Sequence, residues 1–342
     1  MKSFFRLMGN ILGSGLFLIP TLLVGEDGFS YIAWIITLPG CLALAWLFAS
    51  LKAQFPAITS PHEYPQKVMN PLHWEWIQYI YWAYVWIGNA AVMLMIGSWL
   101  TFLFPPLFHC PLYSSTILLI LLWATTLGDL FDCSTLKNIQ FTSLTLKFLP
   151  LILLILSALH APRDSAIQQK AIFIPSWQSV CKHSLTIGWG FLGIESLPFV
   201  IKNARSFKKI VIVSMATILS VSALYLRAFY ALGLHLTPRE IMKINSPFGT
   251  LAQKLWGKKG GKLFGIMVLF TALDSLKSWI SIQNAISIFP RVPRWKSAVT
   301  TSGIISCFLI LSMNRAAFSL FKIAIEYSAY AATLIYLYCG MT

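Results

Sequence analysis

The sequence predicts an all-α, polytopic membrane protein with about ten transmembrane helices. Of its 342 residues, 57% are hydrophobic and only 11% are charged, whereas soluble domains contain roughly 25% charged residues. The apolar residues occur in long runs, and about 20 helical residues are enough to cross a ~30 Å hydrocarbon layer. Backbone amides in lipid must be paired within the protein, so these runs predict helices.

The expected spans lie at about 4–25, 30–51, 73–104, 112–128, 139–160, 183–202, 207–234, 261–288, 296–313 and 316–339. An even number of spans places both termini on one side, which we expect to be the cytoplasm. Short basic clusters at 202–209 and 291–296 support this orientation, whereas the basic segment 235–260 opposes it. A small interfacial helix is expected near Phe248–Trp256.

The net charge of +15 does not point to a nucleic-acid partner, because the basic residues lie at the ends of apolar runs. There they can contact the headgroups of the lipid bilayer. The cysteines and histidines are scattered without metal-ligand spacing. The loops are too short for a soluble catalytic domain, and no nucleophile–base pair or phosphate-binding loop is evident. We therefore expect a protein that is not an enzyme and that needs no cofactor or metal.

Glycines interrupt two of the spans at corresponding places. Span 1 contains Gly13, Ser14 and Gly15, and span 6 contains Gly188, Gly190 and Gly193. These spans would begin two five-helix repeats, at about 4–160 and 183–339, within one transporter domain covering 1–342. Because five is odd, the second repeat must be inverted. Paired broken helices of this kind predict a central binding site, since irregular backbone at membrane depth is tolerated only along a cavity.

Three features carry candidate chemistry. The freed amides of the segment 10–15 could hold a carboxylate, and the alternative is a helix-packing motif. Glu195 lies deep in an apolar span, so it is a functional candidate that could bind a proton; the alternative is a structural glutamate satisfied by a neighbouring Tyr or Ser. Asp274 and Lys277 share one helical face and are expected to neutralise each other, with ion coupling as the alternative.

Five stretches resemble bacterial arginine/agmatine antiporters of the amino acid–polyamine–organocation (APC) superfamily, in its basic amino acid/polyamine branch. They are GNILGSGLFLIP (9–20), YWAYVWIGNAAV (81–92), GWGFLGIES (188–196), SPFG (246–249) and SLKSWISIQNA (275–285). The resemblance runs in order over nearly the whole chain and implies the LeuT/APC-type fold with its inverted five-plus-five helix repeat.

The resemblance also implies functional residues. The substrate would contact residues on both broken helices and on three other spans: Asn10, Ile11, Gly13, Ser14, Gly15, Asn89, Trp189, Leu192, Ser275, Trp279 and Ser328. Trp279 would stack on a guanidinium, and Trp189 would pack beneath the substrate. A gate linked to pH sensing would comprise Tyr81, Glu195 and Tyr336.

The chain departs from the family pattern at several positions. Gly190 replaces a serine, Val85 replaces a cysteine, and Asp274 and Lys277 stand where glycine is usual. The family has twelve helices, whereas this chain ends after ten expected spans. The missing pair lies outside the five-plus-five core, which weakens the expectation of a homodimer.

The expected function is exchange of an arginine-like cationic amino acid for its decarboxylated, agmatine-like amine by alternating access across a bacterial inner membrane. The alternatives are a proton-coupled amino acid symporter and a truncated, non-transporting remnant of the family.

Overall fold

A computed structural model of the chain describes residues 2–12, 15–25, 28–29, 31–58, 60–67, 69–108, 111–131, 140–162, 176–201, 206–244, 246–285, 293–312 and 317–342. Its helices are α1 (Lys2–Ile11), α2 (Gly15–Leu23), α3 (Tyr31–Gln54), α4 (Pro71–Leu103), α5 (Pro105–Phe108), α6 (Pro111–Leu130), α7 (Gln140–His160), α8 (Trp177–Gly190), α9 (Leu197–Val200), α10 (Phe207–His235), α11 (Pro238–Lys243), α12 (Pro247–Ala285), α13 (Arg294–Ser312) and α14 (Ala317–Gly340). Short 3-10 turns occupy Pro61–Glu63, Pro65–Lys67 and Ile194–Ser196.

The expected all-helical architecture is confirmed. A helix or a broken helix occupies each of the ten predicted stretches. Six helices in the described part of the chain are long and apolar enough to cross a membrane: Tyr31–Gln54, Trp74–Leu103, Leu112–Leu130, Phe207–His235, Pro247–Asn284 and Arg294–Ser312. Phe148–His160 is a shorter apolar helix. Among the described residues, a small antiparallel pair, β1 (Val24–Gly25) with β2 (Gly28–Phe29), departs from this architecture.

The expected small helix near Phe248–Trp256 is present, and its interfacial location stays a prediction. It is the first part of α12, and Gly257 interrupts the helical backbone with φ 73° and ψ 176° before the helix continues to Ala285. A positive φ of this size is accessible to glycine at little cost. The break at Gly257 therefore divides α12 into a short first helix and a longer second helix, as the sequence predicts.

Polar side chains join α4, α6, α12 and α13 in their buried interior. The Asn89 amide donates to Gln283 Oε1 at 2.7 Å, and the Gln283 amide donates to Ser302 Oγ at 3.5 Å. Ser302 Oγ lies 2.9 Å from Thr126 Oγ1. Small and polar residues between membrane helices allow close packing and hydrogen bonding where lipid offers no partner. The network therefore holds α4, α6, α12 and α13 together, and these four helices are called the support below.

A second cluster joins the ends of α6, α12 and α13. The Asp129 carboxylate accepts hydrogen bonds from Ser281 Oγ and, at 2.8 Å, from Asn284 Nδ2. Arg294 forms an ion pair with the same carboxylate at 3.2 Å. These bonds connect the last turn of α12 to the first turn of α13, so the ends of this support are also fixed.

The segment that follows α3 is anchored by a buried lysine. Lys52 Nζ donates to the carbonyls of Pro56 and Ile58 at 2.7 and 2.9 Å, and the residue is only 2% exposed. Its position in the last helical turn also places a cation at the negative end of the helix dipole. This cap directs the chain into the 3-10 turn Pro61–Glu63, which packs against α4 and α14.

Candidate functional site

The two broken helices approach each other closely. Asn10, at the end of α1, donates from Nδ2 to Ser196 Oγ at 2.9 Å, and Ser196 Oγ donates to the Gly193 carbonyl at 2.5 Å. Gly193 has φ 111°, and a Cβ there would lie 2.8 Å from the Asn10 carbonyl oxygen. Only glycine fits both the conformation and the space. Ser196 is thus a site residue that sequence reasoning missed, although it lies inside a quoted motif.

Glu195 accepts three hydrogen bonds at this junction. The donors are Tyr84 Oη at 2.6 Å, Tyr336 Oη at 2.8 Å and the Gly193 backbone N–H at 2.9 Å. Glu195 itself is only 2% exposed. The cluster of Glu195, Tyr84 and Tyr336, called the Glu195 cluster below, therefore ties the second break to α4 and to α14.

Tyr84, which lies three residues after the expected gate residue Tyr81, donates a hydrogen bond to Glu195. The Tyr81 ring lies 5.9 Å from the Tyr84 ring and stacks on His62, with 4.9 Å between the ring centroids. The two tyrosines are three residues apart on one helical face, so either could have pointed to Glu195. The sequence signal for Tyr84 was its position in the same aromatic run. A role for Tyr81 itself stays a prediction.

His62 connects this aromatic layer to the loop after α3. Its Nδ1 lies 2.7 Å from Ser60 Oγ, and its ring covers Tyr81. Burial disfavours the charged imidazolium and lowers the pKa of His62 to about 4. The imidazole that stacks on the Tyr81 ring is therefore neutral at physiological pH.

Trp279 continues the line of side chains from Glu195 towards α12. Its ring meets the Tyr84 ring edge to face, with centroids 5.8 Å apart and an interplanar angle of 81°. This geometry is a favourable one for aromatic pairs. Tyr84 thus contacts both the carboxylate at the break and the tryptophan expected to stack on a substrate.

Besides Asn89, two expected contact residues carry buried polar atoms without a hydrogen-bond partner in the described part of the chain. They are Trp189 Nε1, in a residue 5% exposed, and Ser328 Oγ, in a residue fully buried. An unsatisfied buried polar atom costs about 1–3 kcal/mol. Such atoms call for an explanation, and a polar ligand is one of the accepted explanations.

The other expected contact residues lie in varied surroundings. Asn89 is fully buried in the interhelical network, and its Oδ1 has no partner among the described residues. Ser275 Oγ donates to the Thr271 carbonyl at 3.0 Å within its own helix. Ile11 is 2% exposed at the end of α1. Leu192 is half-buried in the turn after α8, and Gly15 begins α2. Gly13 and Ser14 lie outside the described residues.

The altered position Gly190 has a clear packing role. A Cβ at Gly190 would lie 2.2 Å from Ile19 Cδ1, so a serine there would require Ile19 to move. Tyr225 Oη donates to the Gly190 carbonyl at 2.8 Å and satisfies the end of α8. Among the other departures, Val85 is fully buried and Asp274 is 5% exposed. The expected neutralisation of Asp274 by Lys277 stays a prediction.

The chain is similar to several antiporters over most of its length. It is 24% identical over 297 residues to the cadaverine/lysine antiporter of Escherichia coli strain K12. The aligned region covers 83% of this chain and 66% of that protein. It is 25% identical over 289 residues to the arginine/ornithine antiporter of Pseudomonas aeruginosa, with 80% and 59% coverage. For the arginine/ornithine antiporter of Latilactobacillus sakei the identity is 25% over 329 residues, with 87% and 68% coverage.

The chain thus spans 66% of the length of the E. coli protein, just under two thirds. The fold matches the crystal structure of MhsT in complex with L-phenylalanine, with a TM-score of 0.62 and 15% identity over 99% of this chain and 88% of that one. The expected fold class is therefore confirmed. A family model described as amino acid permease matches residues 1–295. The chain belongs to the amino acid permease family, a family of transporters rather than enzymes.

Proposed function

We propose that this protein exchanges a cationic, arginine-like amino acid for its decarboxylated, agmatine-like amine across a bacterial inner membrane. The observation that carries the proposal is the line of contacts from Trp279 through Tyr84 to Glu195, which ends at the junction of the two broken helices. The relatives named above are antiporters of lysine with cadaverine and of arginine with ornithine. Each of those pairs contains a cationic amino acid.

The residues around the junction suit the two ends of such a substrate. The break between α1 and α2 leaves backbone amides at the start of α2, where a helix N-terminus favours a carboxylate. The half-buried Trp279 offers an aromatic face to a guanidinium or ammonium. An amino acid bound between them would lie beside Tyr84.

The Glu195 cluster supports alternating access. Its hydrogen bonds join α4 and α14 to the second broken helix, so separation of these elements requires the bonds to break. A substrate that moves Trp279 also moves the surroundings of Tyr84. The substrate gradients supply the free energy, because exchange needs no further energy source.

Proteoliposomes test the proposal directly. Vesicles loaded with unlabelled arginine, lysine, agmatine or cadaverine should take up external labelled arginine or lysine, and empty vesicles should not. Trp279→Ala should raise the KM for the cationic amino acid roughly three- to thirty-fold, since a cation–π contact contributes about 0.5–2 kcal/mol. Trp76→Ala is the matched control, because Trp76 is 64% exposed on α4 and should leave the KM unchanged. Equal KM values for Trp279→Ala and wild type would refute the stacking role.

A proton-coupled symporter is the second candidate, and the buried carboxylate of Glu195 is the observation that favours it. Uptake into empty vesicles that is driven by an imposed proton gradient and lost in Glu195→Gln would establish symport and overturn exchange. A non-transporting remnant would show neither activity, and no amino acid would raise its melting temperature in detergent.

A further inference from the structure

An ion pair joins α8 to α14 away from the Glu195 cluster. Lys182 Nζ lies 3.3 Å from Glu326 Oε1, and the two side chains are 51% and 30% exposed. Neither residue belongs to any motif used above. The pair will be called the outer ion pair.

The outer ion pair joins the same broken helix to α14 as the Glu195 cluster does. The second broken segment and α14 are bridged again by the hydrogen bond between Tyr336 and Glu195. Glu326 and Tyr336 are ten residues apart on one helix, which corresponds to about 15 Å. The two bridges therefore lie at different depths of the same pair of elements.

Two of the buried polar atoms without a partner belong to residues that lie between the two bridges in sequence. Trp189 lies between Lys182 and Glu195 in sequence, and Ser328 follows Glu326 by two residues on α14. Both Trp189 Nε1 and Ser328 Oγ are buried without a partner among the described residues. On α8, Lys182 is exposed, whereas Thr186, Ile187, Trp189 and Gly190 in the following turns are buried. The outer ion pair thus lies on the exposed side of the residues that α8 buries.

We propose that Glu326 is an outer binding subsite for the cationic group of the substrate, and that Lys182 occupies this subsite when no substrate is bound. The inference rests on the proposed function, because it requires a substrate that carries a guanidinium or ammonium group. A carboxylate accepts charge-assisted hydrogen bonds from either group as readily as from a lysine. An exposed pair contributes little to folding stability, so a substrate cation can replace Lys182 at small cost.

The kinetics of two variants test this directly. Competition predicts that Glu326→Gln raises the KM for external labelled arginine or lysine, roughly five-fold for the loss of one exposed charge interaction. Lys182→Gln should lower the KM by a similar factor, because it removes the competing internal cation. The rate at saturating substrate should change little in either variant. A pair that only clamps the two helices predicts instead that both variants shift the KM in the same direction.

Matched controls separate the subsite from a general change in surface charge. Glu75→Gln and Lys258→Gln alter the same charges at exposed positions on α4 and α12, and should leave the KM unchanged. Size-exclusion profiles and melting temperatures in detergent report whether each variant is folded. If Glu326→Gln fails to fold, the double variant Glu326→Asp/Lys182→Gln replaces it. This variant keeps the carboxylate and lacks the competing lysine, so its KM should be near that of Lys182→Gln.

The two proposals fail in different ways. Wild-type vesicles that exchange no cationic amino acid would overturn the proposed function and this inference with it. Wild-type exchange combined with same-direction KM shifts in Glu326→Gln and Lys182→Gln, or with no shift, would overturn the subsite alone.

Discussion

Replacement of Gly193 by alanine should disrupt the junction of the two broken helices. Gly193 has φ 111°, and an added Cβ would lie 2.8 Å from the Asn10 carbonyl oxygen and 3.2 Å from the Ile11 nitrogen. Both neighbours are backbone atoms, which cannot rotate away as a side chain can. A left-handed conformation costs a non-glycine residue about 1–2 kcal/mol, and overpacking adds about 1–3 kcal/mol. The expected destabilisation is therefore about 2–5 kcal/mol.

Two other glycines of the same segment provide graded controls. A Cβ at Gly188 would meet Thr37 Cγ2 only at 4.0 Å, so Gly188→Ala should be neutral or stabilise the helix by up to about 1 kcal/mol. A Cβ at Gly190 would clash with Ile19 Cδ1 at 2.2 Å, but that atom ends a flexible side chain. Gly190→Ala should therefore have an intermediate effect.

Melting temperatures of the detergent-solubilised variants measure this order. The expected order of stability is Gly188→Ala highest, then Gly190→Ala, then Gly193→Ala. Exchange in proteoliposomes should fall in the same order, because the junction is also the proposed binding site. The reasoning would be refuted if Gly193→Ala melted at the same temperature as Gly188→Ala.

Two further predictions concern the layer beneath the junction. Tyr84→Phe leaves a Glu195 oxygen without its donor and should lower the exchange rate about ten-fold or more, since a hydrogen bond to a charged group contributes about 1.5–3 kcal/mol; Tyr81→Phe should have a smaller effect in the same assay, and equal effects would contradict the geometry. The pKa of His62 is lowered to about 4 in the folded protein, so its contribution to stability is complete above its usual pKa of about 6.5 and is lost as the pH falls towards 4; His62→Gln should flatten the melting temperature between pH 6.5 and 4, and an unchanged pH profile would refute this assignment.

The helices and their breaks were predictable from sequence because their signals are local. Long apolar runs predict membrane helices, and the glycines at 190 and 193 lie where the structure leaves the helix. The partner of each polar side chain was not predictable in the same way. Tyr84 rather than Tyr81 bonds to Glu195, because the choice depends on the rotation of α4 about its axis. Periodicity determines which residues share a face, not which of them a neighbouring helix contacts.

The same limit applies to contacts between distant residues. Asn89 and Gln283 are 194 residues apart, and no local pattern identifies the hydrogen bond from the Asn89 amide nitrogen to Gln283 Oε1. The substrate contact that the family resemblance implies for Asn89 stays a prediction, and the structure adds that its amide nitrogen is engaged in the network of four helices. Lys182 and Glu326 lie on different elements and show no pattern in sequence. Such pairs become visible only when the axial shift of the two helices is known.

The two bridges between the second broken segment and α14 differ in strength, and this difference bears on which end opens more easily. The bond between Tyr336 and Glu195 is part of a buried cluster in which the carboxylate has three donors, and each such bond contributes about 1.5–3 kcal/mol. The outer ion pair is exposed to solvent and contributes about 0–1 kcal/mol. Without substrate, separation at Lys182 and Glu326 therefore costs less than separation at the Glu195 cluster. A bound substrate must supply the larger free energy that separation at the Glu195 cluster requires, through its contacts with Trp279 and the junction. The aromatic contact between Trp279 and Tyr84 therefore matters for transport.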